Sequence, residues 1–477
     1  MTASFDRVAQ RLARINQSHL LNFFHELKTD RQRALLEQLD AIDLESIPAL
    51  ADQYVVRKPA ISLPKRIEPA PYYPLNEKSP AKPWDRAAAR AAGESLIRRG
   101  KVAAFVVAGG QGSRLGFDGP KGCFPAGPVT KKPLFQIFAE GILATQRRYG
   151  APIPWYVMTS PLNHEQTVGF FRSNNSFGLD PSLLRFFQQG VSPSFDIITG
   201  KVLLAAKDEV ATNPDGHGGS VRALHASGAL DDMRSRGVEH LSYFQVDNPL
   251  VRVIDPDFIG LHAAAPDSSA QMSSKMVRKT GPDEKVGVFC LAGGKTEVIE
   301  YSDMPAELSR ATNPDGSLKF VAGSIAIHVI GVEFLTRLAT DPSFGLPWHR
   351  AEKKVPCIDP KTGEPFNPTS NNAVKLEKFI FDALTLCDRS IVVETDRAEE
   401  FAPIKNAAGV DSVESSSAMQ SARAARWLDA AGVKVPRKAD GSPDCVLELS
   451  PLTALDPADL KNAKLPAKID PGQRLAL

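Results

Sequence analysis

A glycine-rich turn after a short apolar run constrains this chain more than any other feature. Residues 102–108, VAAFVVA, have the length and β-branched content of a buried strand, and the sequence GGQG at residues 109–112 ends it abruptly. Glycines lack the Cβ atoms that would hold a phosphate away from backbone N–H groups. Arg114 and Lys121 add fixed positive charge close to those donors. The pattern predicts a buried strand followed by a loop that binds a triphosphate.

Two common glycine loops do not match this turn. The dinucleotide fingerprint requires glycines at relative positions one, three and six, and counting from Gly110 the sixth position is Leu115. The Walker A loop requires Ser or Thr after its Gly-Lys pair, whereas Lys121 is followed by Gly122. The remaining pattern, GG-x-G-[ST]-R-[LM] followed by PK, resembles the signature of sugar-1-phosphate nucleotidyltransferases.

Bulk properties exclude several classes of protein. A chain of 477 residues is long enough for two or three domains, and 43% hydrophobic with 23% charged residues is typical of globular proteins. The net charge of +2 gives no reason to expect nucleic acid or an anionic membrane as partner. No apolar run has the length of a membrane span, and the first residues contain no apolar signal core. The five widely spaced cysteines favour a reducing, cytoplasmic location. We expect a monomer or a weak homo-oligomer.

We expect three regions along the chain. Residues 1–100 form a helical N-terminal region with a proline-rich connector, residues 101–400 an α/β nucleotidyltransferase catalytic domain, and residues 401–477 a small C-terminal domain. The connector, residues 56–83, contains too many prolines for a helix or a central strand, so we expect an extended segment on the surface. Helical periodicity predicts two or three helices within residues 5–50. It predicts further helices over residues 85–99 and 416–431.

Short apolar runs alternate with helical patterns from residue 101 to about residue 393. Such runs lie at residues 154–159, 240–246, 286–291 and 325–330. This alternation predicts an α/β fold with a mixed, mainly parallel sheet flanked by helices. Ligands of such sheets bind beyond the carboxyl ends of the strands, which is where the glycine loop falls.

Later segments extend the resemblance. They are, in chain order, FFQQGVSPSFDIITGKVLL from residue 186, NPDGHGGSVRAL from 213, YFQVDNPLVRVIDPDFIG from 243, EKVGVF from 284, EYSDMP from 300, NAVKLEKFIFDAL from 372 and FAPIKN from 401. Together they resemble the eukaryotic-type UTP-dependent sugar-1-phosphate uridylyltransferases, and among these most of all the UDP-N-acetylglucosamine pyrophosphorylases. The resemblance implies a nucleotide-diphospho-sugar transferase fold of the GT-A, Rossmann-like kind. It also implies UTP and a sugar 1-phosphate as substrates.

The resemblance and the residue types together assign a candidate site. An amide such as Gln189 both donates and accepts, as a pyrimidine edge requires. Asp247 follows a strand, and its oxygen ligand suits Mg²⁺, which the resemblance also implies. Asp215 and Asp255 are expected to cap turns instead. The predicted catalytic residues are Arg114, Lys121 and Lys405; the predicted UTP-binding residues are Gly109, Gly110, Gln111, Gly112, Gln189, Gly216 and Lys375; the predicted sugar-binding residues are His217, Glu300, Tyr301 and Ser324; the predicted metal ligand is Asp247.

The implied reaction is attack of the phosphate of a sugar 1-phosphate on the α-phosphorus of UTP, with pyrophosphate leaving. The first sugar to consider is N-acetylglucosamine. In the acetylhexosamine enzymes a strand resembling FNAGNIANH is rich in asparagine, whereas here Val321, Ser324 and Ile327 occupy three of those positions, and His217 is typical of UDP-glucose enzymes. A glucose or galactose pyrophosphorylase and a non-catalytic sugar-nucleotide sensor are therefore alternatives. A nicotinamide oxidoreductase is weaker, because the dinucleotide fingerprint fails.

Overall fold

The computed structural model describes residues 4–58, 63–64 and 66–477. The α-helices are α1 (Phe5–Arg14), α2 (Thr29–Ala41), α3 (Ile47–Leu50), α4 (Arg86–Arg98), α5 (Leu134–Tyr149), α6 (His164–Ser173), α7 (Ser220–Ala226), α8 (Ala229–Ser235), α9 (Pro256–Ala264), α10 (Ala306–Ser309), α11 (Val332–Thr340), α12 (Arg397–Glu400) and α13 (Val413–Ala430). The helices predicted at residues 85–99 and 416–431 correspond to α4 and α13 within a few residues.

The strands are β1 (Ile67–Pro69), β2 (Val102–Val107), β3 (Trp155–Thr159), β4 (Leu184–Gln188), β5 (Val191–Pro193), β6 (Phe195–Asp196), β7 (Leu204–Ala206), β8 (Glu209–Val210), β9 (Thr212–Pro214), β10 (His240–Gln245), β11 (Met272–Arg278), β12 (Val288–Ala292), β13 (Lys295–Ile299), β14 (Ala322–Gly331), β15 (His349–Lys353), β16 (Cys357–Ile358), β17 (Pro365–Phe366), β18 (Ala373–Glu377), β19 (Val392–Glu394), β20 (Val446–Glu448) and β21 (Arg474–Ala476). Each of the five runs predicted as strands overlaps one of these strands.

The chain forms two compact units. The first contains Met1–Leu63, Gln189–Ser220 and Leu346–Ile380, and the second contains Pro64–Gln188, Val221–Gly345 and Phe381–Leu477. Each unit is assembled from separated pieces of sequence. The predicted division at residues 100 and 400 follows the chain in order, and it stays a prediction.

The first unit is built around N-terminal helices and a small sheet. Its apolar core joins Val8 and Leu12 of α1 and Leu35 of α2 with Phe195 of β6 and Val374 of β18. Strand β18 lies between β15 and β6 and is antiparallel to both. The helical periodicity of residues 5–50 thus identifies the helix faces that pack into this core.

The second unit contains a ten-stranded sheet. Its main order is β1-β12-β14-β10-β2-β3-β4, and β10, β2, β3 and β4 are parallel to one another. Strand β14 is antiparallel to β10 and to β11, so the sheet is mixed. Because the four parallel strands end at one edge, the segments after β2 and β10 emerge side by side. The mixed α/β fold class predicted from the sequence is confirmed.

Helices α4 and α9 cross unusually closely in the second unit. A Cβ atom on Gly93 would lie 1.9 Å from the carbonyl oxygen of Pro256, and one on Gly260 would lie 1.7 Å from that of Ala89. Neither distance is possible for real atoms, so both positions require glycine for the two backbones to touch. Asp85 caps α4 by accepting a hydrogen bond from the Ala88 N–H at 2.9 Å.

Part of the proline-rich connector pairs with the large sheet, which the sequence does not predict. Residues 59–62 and 65 of it lie outside the described residues. Farther along, β1 pairs with β12 as an edge strand, with Pro69 opposite Cys290, and Tyr73 is 4% exposed. The extended conformation expected from the sequence is found in this part, and the pairing with β12 and the burial of Tyr73 add to it. An edge strand bonds on one side only, so it accepts proline where a central strand does not.

All five cysteines are free thiols, and four of them are buried. In the portion of the chain with described structure, no helix is both long enough and apolar enough to cross a bilayer.

Candidate active site

The glycine loop follows β2 directly and is closed by its own backbone. The Gly112 N–H donates to the Gly119 carbonyl oxygen at 2.9 Å, and the Lys121 N–H donates to the Gly110 carbonyl oxygen at 3.0 Å. These bonds return the chain to the strand end, so Lys121 begins a short 3-10 turn beside the first glycines. The predicted loop thus brings its glycines and its lysine together.

The absence of a side chain has a different physical consequence at Gly112 than at Gly110. A Cβ atom on Gly112 would lie 2.7 Å from Cδ1 of Phe117, so a side chain there collides with the loop itself. A Cβ atom on Gly110 would meet no atom within 4 Å, and its φ is outside the left-handed region. The protein itself therefore does not require glycine at position 110, and the open space above this backbone suits a ligand.

A buried asparagine holds the strand exit and was not found from the sequence. Asn163, fully buried after β3, donates from Nδ2 to the carbonyl oxygens of Ala108 at 3.0 Å and Gly110 at 3.3 Å. The bonds fix the backbone at the point where β2 becomes the loop. Asn163 lies more than 50 residues from the loop in sequence, and no local pattern distinguishes it from a helix N-terminal residue.

Lys121 and Asp247 form an ion pair at the carboxyl ends of neighbouring strands. The Lys121 Nζ lies 3.6 Å from Oδ2 of Asp247, and the side chains are 16% and 14% exposed. Asp247 follows β10, which lies beside β2 in the sheet. Both side chains are therefore mostly buried, and the exposed part of each remains accessible to a ligand. The structure brings together the predicted metal ligand and a predicted phosphate ligand.

A cavity of about 80 Å³ adjoins Asp247. Ser324 of β14 and Lys405 also line it, together with Gln245 and Ala326. Ala326 has φ +54°, a left-handed conformation that is uncommon for alanine, and the pairing of β14 with β11 shifts register here. This bulge turns the middle of β14 at the cavity wall. The cavity is smaller than the ~300–1,000 Å³ that enclose whole ligands, so it suits one phosphate group or a hydrated cation.

Lys405 contributes a partly exposed cation to this cavity. Its side chain is 41% exposed, and its Nζ lies 3.6 Å from Oδ2 of Asp411. Its backbone is fixed, because the preceding residue, Ile404, donates its N–H to the Asp247 carbonyl oxygen at 2.8 Å. Because the backbone is fixed and the ammonium group is partly exposed, the side chain can reach a negatively charged ligand in the cavity.

Three other predicted residues of the second unit lie near these elements with less direct contacts. Arg114 is exposed on a 3-10 turn, Ser113–Leu115, within the glycine loop. Glu300 follows β13, and Tyr301 is 48% exposed. The Gly287 carbonyl oxygen accepts a hydrogen bond from the Ser324 N–H at 2.8 Å. A Cβ atom on Gly287 would lie 3.1 Å from Oε1 of Glu300, so the glycine permits the Glu300 carboxylate to approach the strand that carries Ser324.

A larger cavity of about 470 Å³ also lies in the second unit, lined by Arg148, Arg252 and Arg426 among others. These arginines already have carboxylate partners: Arg148 and Arg252 pair with Asp456 at 2.7 and 2.5 Å, and Arg426 pairs with Glu399 at 2.7 Å. These pairs are shorter than the 3.6 Å between Lys405 Nζ and Asp411 Oδ2, so the three arginines are more fully neutralised than Lys405. The smaller cavity is therefore the better candidate for binding a phosphate group.

The remaining predicted residues belong to the first unit. Gln189 is 7% exposed and precedes β5, which pairs with β9, and β9 leads to Gly216. Lys375 lies in β18, which packs beside β5 and beside the turn that contains His217. The structure thus groups the four predicted residues of this unit around β18.

The glycines after β9 pack against the chain itself. Gly216 has φ +84°, and a Cβ atom there would lie 2.4 Å from the Lys378 carbonyl oxygen. The Gly218 N–H donates to the same oxygen at 2.8 Å. A Cβ atom on Gly219 would lie 2.1 Å from the Asp215 carboxylate. The sequence predicts a ligand contact at Gly216, whereas the structure shows contacts with the chain itself that require these glycines in any case.

His217 is held as a neutral ring. Its Nδ1 accepts a hydrogen bond from the Ile380 N–H at 3.2 Å, and its ring stacks on Phe379 with centroids 5.2 Å apart. Burial, and secondarily the nearby His349, lowers the pKa of His217 to about 4. With Nδ1 occupied as an acceptor, Nε2 carries the proton and is the donor at neutral pH.

The expected capping role of Asp255 is confirmed. Asp255 caps α9 by accepting from the Asp257 N–H at 3.1 Å, and its other oxygen contacts the Lys275 Nζ at 2.5 Å. The Lys275 and Arg252 charges hold the pKa of the Asp255 carboxyl well below its usual range despite its burial.

Across residues 4–58, 63–64 and 66–477, no three His, Cys, Asp or Glu side chains are grouped to hold a metal ion.

Solved structures show the class of this fold. The uridine diphosphate N-acetylglucosamine pyrophosphorylase from Trypanosoma brucei superposes with a TM-score of 0.82 at 27% identity, covering 96% of this chain and 94% of that one. A UDP-glucose phosphorylase from the same organism has a TM-score of 0.60 at 17% identity, covering 90% and 84%. The fold is that of the UDP-sugar pyrophosphorylases.

The sequence comparisons give the family. Residues 56–427 match the model of the family described as UTP–glucose-1-phosphate uridylyltransferase, and the chain belongs to that family. The UDP-N-acetylglucosamine pyrophosphorylase of Saccharomyces cerevisiae is 36% identical over 88% of this chain and 90% of its own. The UDP-N-acetylglucosamine diphosphorylase 2 of Arabidopsis thaliana is 36% identical over 93% and 89%. The resemblance stated from the motifs is confirmed.

Proposed function

We propose that this protein transfers uridylyl from UTP to a sugar 1-phosphate, giving a UDP-sugar and pyrophosphate. The observation that carries the proposal is the convergence of Lys121, Asp247 and Lys405 at the carboxyl end of the parallel strands, beside a loop whose Gly110 faces open space. The family and its relatives support the same reaction, since their names specify uridylyl transfer or pyrophosphorylase activity.

The nucleophile of this reaction is already an anion, so no general base is required. The barrier arises from repulsion between phosphates and from charge that accumulates on the leaving pyrophosphate, and it falls when cations and N–H donors are fixed in place. We assign Arg114, Lys121 and the amides of the glycine loop to the β- and γ-phosphates. Lys405 is assigned to the sugar phosphate. For Gln189, Gly216 and Lys375 we propose UTP contacts on the family resemblance.

A divalent cation, Mg²⁺, is part of the proposal, with Asp247 as its protein ligand. The donor set fits, because Mg²⁺ typically takes one or two carboxylates plus substrate phosphates and water, and the cavity beside Asp247 offers the neutral oxygens of Gln245 and Ser324. When bound, the ion would supply positive charge to the phosphate oxygens. Lys121, 3.6 Å from the same carboxylate, orients Asp247 for that task.

The proposed sugar substrate is N-acetylglucosamine 1-phosphate. The names of the relatives at 36% identity support it, whereas the UDP-glucose structures share only the fold at 17%. Ser324 at the cavity, Glu300 and Tyr301 near β14, and His217 are the proposed sugar contacts. Ser324 has a shorter side chain than the asparagine expected there, so glucose or galactose 1-phosphate is the second candidate.

A coupled pyrophosphate-release assay tests the proposal. Purified protein, UTP and Mg²⁺ are combined with the 1-phosphates of N-acetylglucosamine, N-acetylgalactosamine, glucose and galactose in parallel. We expect release with N-acetylglucosamine 1-phosphate to exceed the others. Preference for glucose or galactose would support the second candidate. No release with any of them, together with UDP-sugar binding by calorimetry, would favour a sugar-nucleotide sensor.

A further inference from the structure

The segment that leads to Lys405 is fastened to the residue after Asp247. Asn248 is 5% exposed, and its side-chain amide is used at both ends. Its Nδ2 donates to the Glu400 carbonyl oxygen at 2.6 Å, and its Oδ1 accepts from the Ala402 N–H at 3.0 Å. An amide bonded in this two-sided way fixes both the distance and the register of the two segments.

Two further contacts complete the attachment. The Ile404 N–H donates to the Asp247 carbonyl oxygen at 2.8 Å, immediately before Lys405. From the opposite side, Oγ of Ser416 in α13 donates to the Ala402 carbonyl oxygen at 2.6 Å. Residues 402–404 are therefore held by α13 and by the segment after β10, and Asn248 supplies one bond to Ala402 and one to Glu400 just before it.

The start of the segment is anchored in the sheet. Glu400 is 1% exposed, and its carboxylate accepts from Nζ of Lys275 at 2.5 and 2.7 Å and from Oγ1 of Thr395 at 2.5 Å. Lys275 belongs to β11 and also pairs with Asp255. Because a buried charge without its partners is costly, Glu400 cannot move independently of β11. Beyond this anchor, the two Asn248 bonds and the Ile404 N–H bond connect the segment to Asp247 and its neighbour.

We propose that Asn248 is a positioning residue that sets the place of the Lys405 ammonium group relative to the Asp247 carboxylate. The inference rests on the proposed function, in which these two charges act on the same phosphate. Asn248 lines the same cavity, yet its Nδ2 and Oδ1 are bonded to the backbone, so it acts through Lys405. A displacement of about 1 Å between catalytic groups costs on the order of 100-fold in rate, so loss of the attachment is measurable.

The test is a double-mutant cycle. Asn248→Leu, of similar size and without either hydrogen bond, and Asn248→Ala are each made in the wild-type and the Lys405→Ala backgrounds. We expect each Asn248 substitution alone to lower kcat by about 10–100-fold and to change KM for UTP by less than about threefold. In the Lys405→Ala background the same substitution lowers kcat by less than about twofold, because its effect passes through the missing ammonium group.

Ser242→Ala is the matched control. Ser242 lies in β10, is 5% exposed, and its Oγ donates to the Val253 carbonyl oxygen at 2.6 Å, so the variant also loses a buried hydrogen bond of the strand that leads to Asp247. We expect it to retain kcat within about twofold. Full, multiplicative loss by Asn248→Leu in the Lys405→Ala background would overturn the proposal, and so would an equal loss of kcat in Ser242→Ala.

Hydrogen exchange separates this inference from the proposed function. If the wild-type protein releases no pyrophosphate with any sugar tested, the proposed function fails and the attachment is measured directly. We expect the amide protons of Ala402 and Ile404 to exchange at least tenfold faster in Asn248→Leu than in Ser242→Ala. Equal protection in the two variants would overturn the role of Asn248.

Discussion

Gly110 and Gly112 are two residues apart, and the structure predicts opposite effects for the same substitution. In Gly110→Ala the added methyl group meets no protein atom within 4 Å, and the backbone φ does not require glycine. Such a substitution stabilises a protein by about 0.4–1 kcal/mol, because it restricts the unfolded chain. In Gly112→Ala the methyl group lies 2.7 Å from Cδ1 and 3.0 Å from the carbonyl oxygen of Phe117. Overpacking of this kind costs about 1–3 kcal/mol.

Gly110→Ala is expected to weaken UTP binding although it does not destabilise the fold. If the space above Gly110 belongs to the UTP phosphates, a methyl group there costs one hydrogen bond to a charged group, about 1.5–3 kcal/mol. That corresponds to an increase of about 10–150-fold in KM for UTP. KM is measured by pyrophosphate release at saturating sugar 1-phosphate, and stability by denaturant unfolding. A Gly110→Ala protein that is as stable as wild type and binds UTP within twofold of it would refute the phosphate assignment of this loop.

Three further predictions concern charge, packing and pH. Arg114→Ala and Lys121→Ala each lower kcat by about 100–1,000-fold, as loss of a transition-state contact does, and turnover within a few-fold of wild type in both would contradict their assignment. Gly260→Ala forces α4 and α9 apart and lowers the free energy of unfolding by at least about 2 kcal/mol, measured by denaturant unfolding, whereas Gly169→Ala, inside α6 and with no atom within 4 Å, is the matched control and should not destabilise. The pKa of His217 is about 4 in the folded protein against 6.5 unfolded, so the unfolded state gains the proton first and stability falls as pH drops from about 6.5 toward 4. Between pH 7.5 and pH 5 wild type should lose about 2 kcal/mol more than His217→Asn, and equal losses would contradict the neutral ring.

Local patterns in the sequence predict the strands and the loop because their causes are local. The run that ends at Ala108 is apolar and β-branched, and the glycines after it end the strand whatever lies around them. Asp247 is found in the same way, since a carboxylate directly after a strand lies at the edge of the sheet. Asp85 before α4 caps the helix as its residue type predicts.

The contacts that fix the candidate site are not local, and the sequence does not reveal them. Asn163 reaches back to Gly110, and Asn248 reaches forward to Glu400, across intervals that no spacing rule covers. Gly216 illustrates a different error. A ligand and a neighbouring backbone both exclude a Cβ atom, so a glycine in the sequence does not tell which of the two is present. The connector shows a third case, in which the prolines exclude a central strand but leave an edge strand open.

The discontinuous first unit sets an order of events during synthesis on the ribosome. The apolar faces of α1 and α2 bury themselves against Phe195 and against Val374 of β18. Val374 is translated about 300 residues after Leu63, the end of the N-terminal piece of the unit. At the usual ~5–20 residues per second the helices wait about 15–60 s for that part of their core. During this interval Leu12 and Leu35 are exposed to chaperones and to other nascent chains, so expression yield depends on protection of the N-terminal helices.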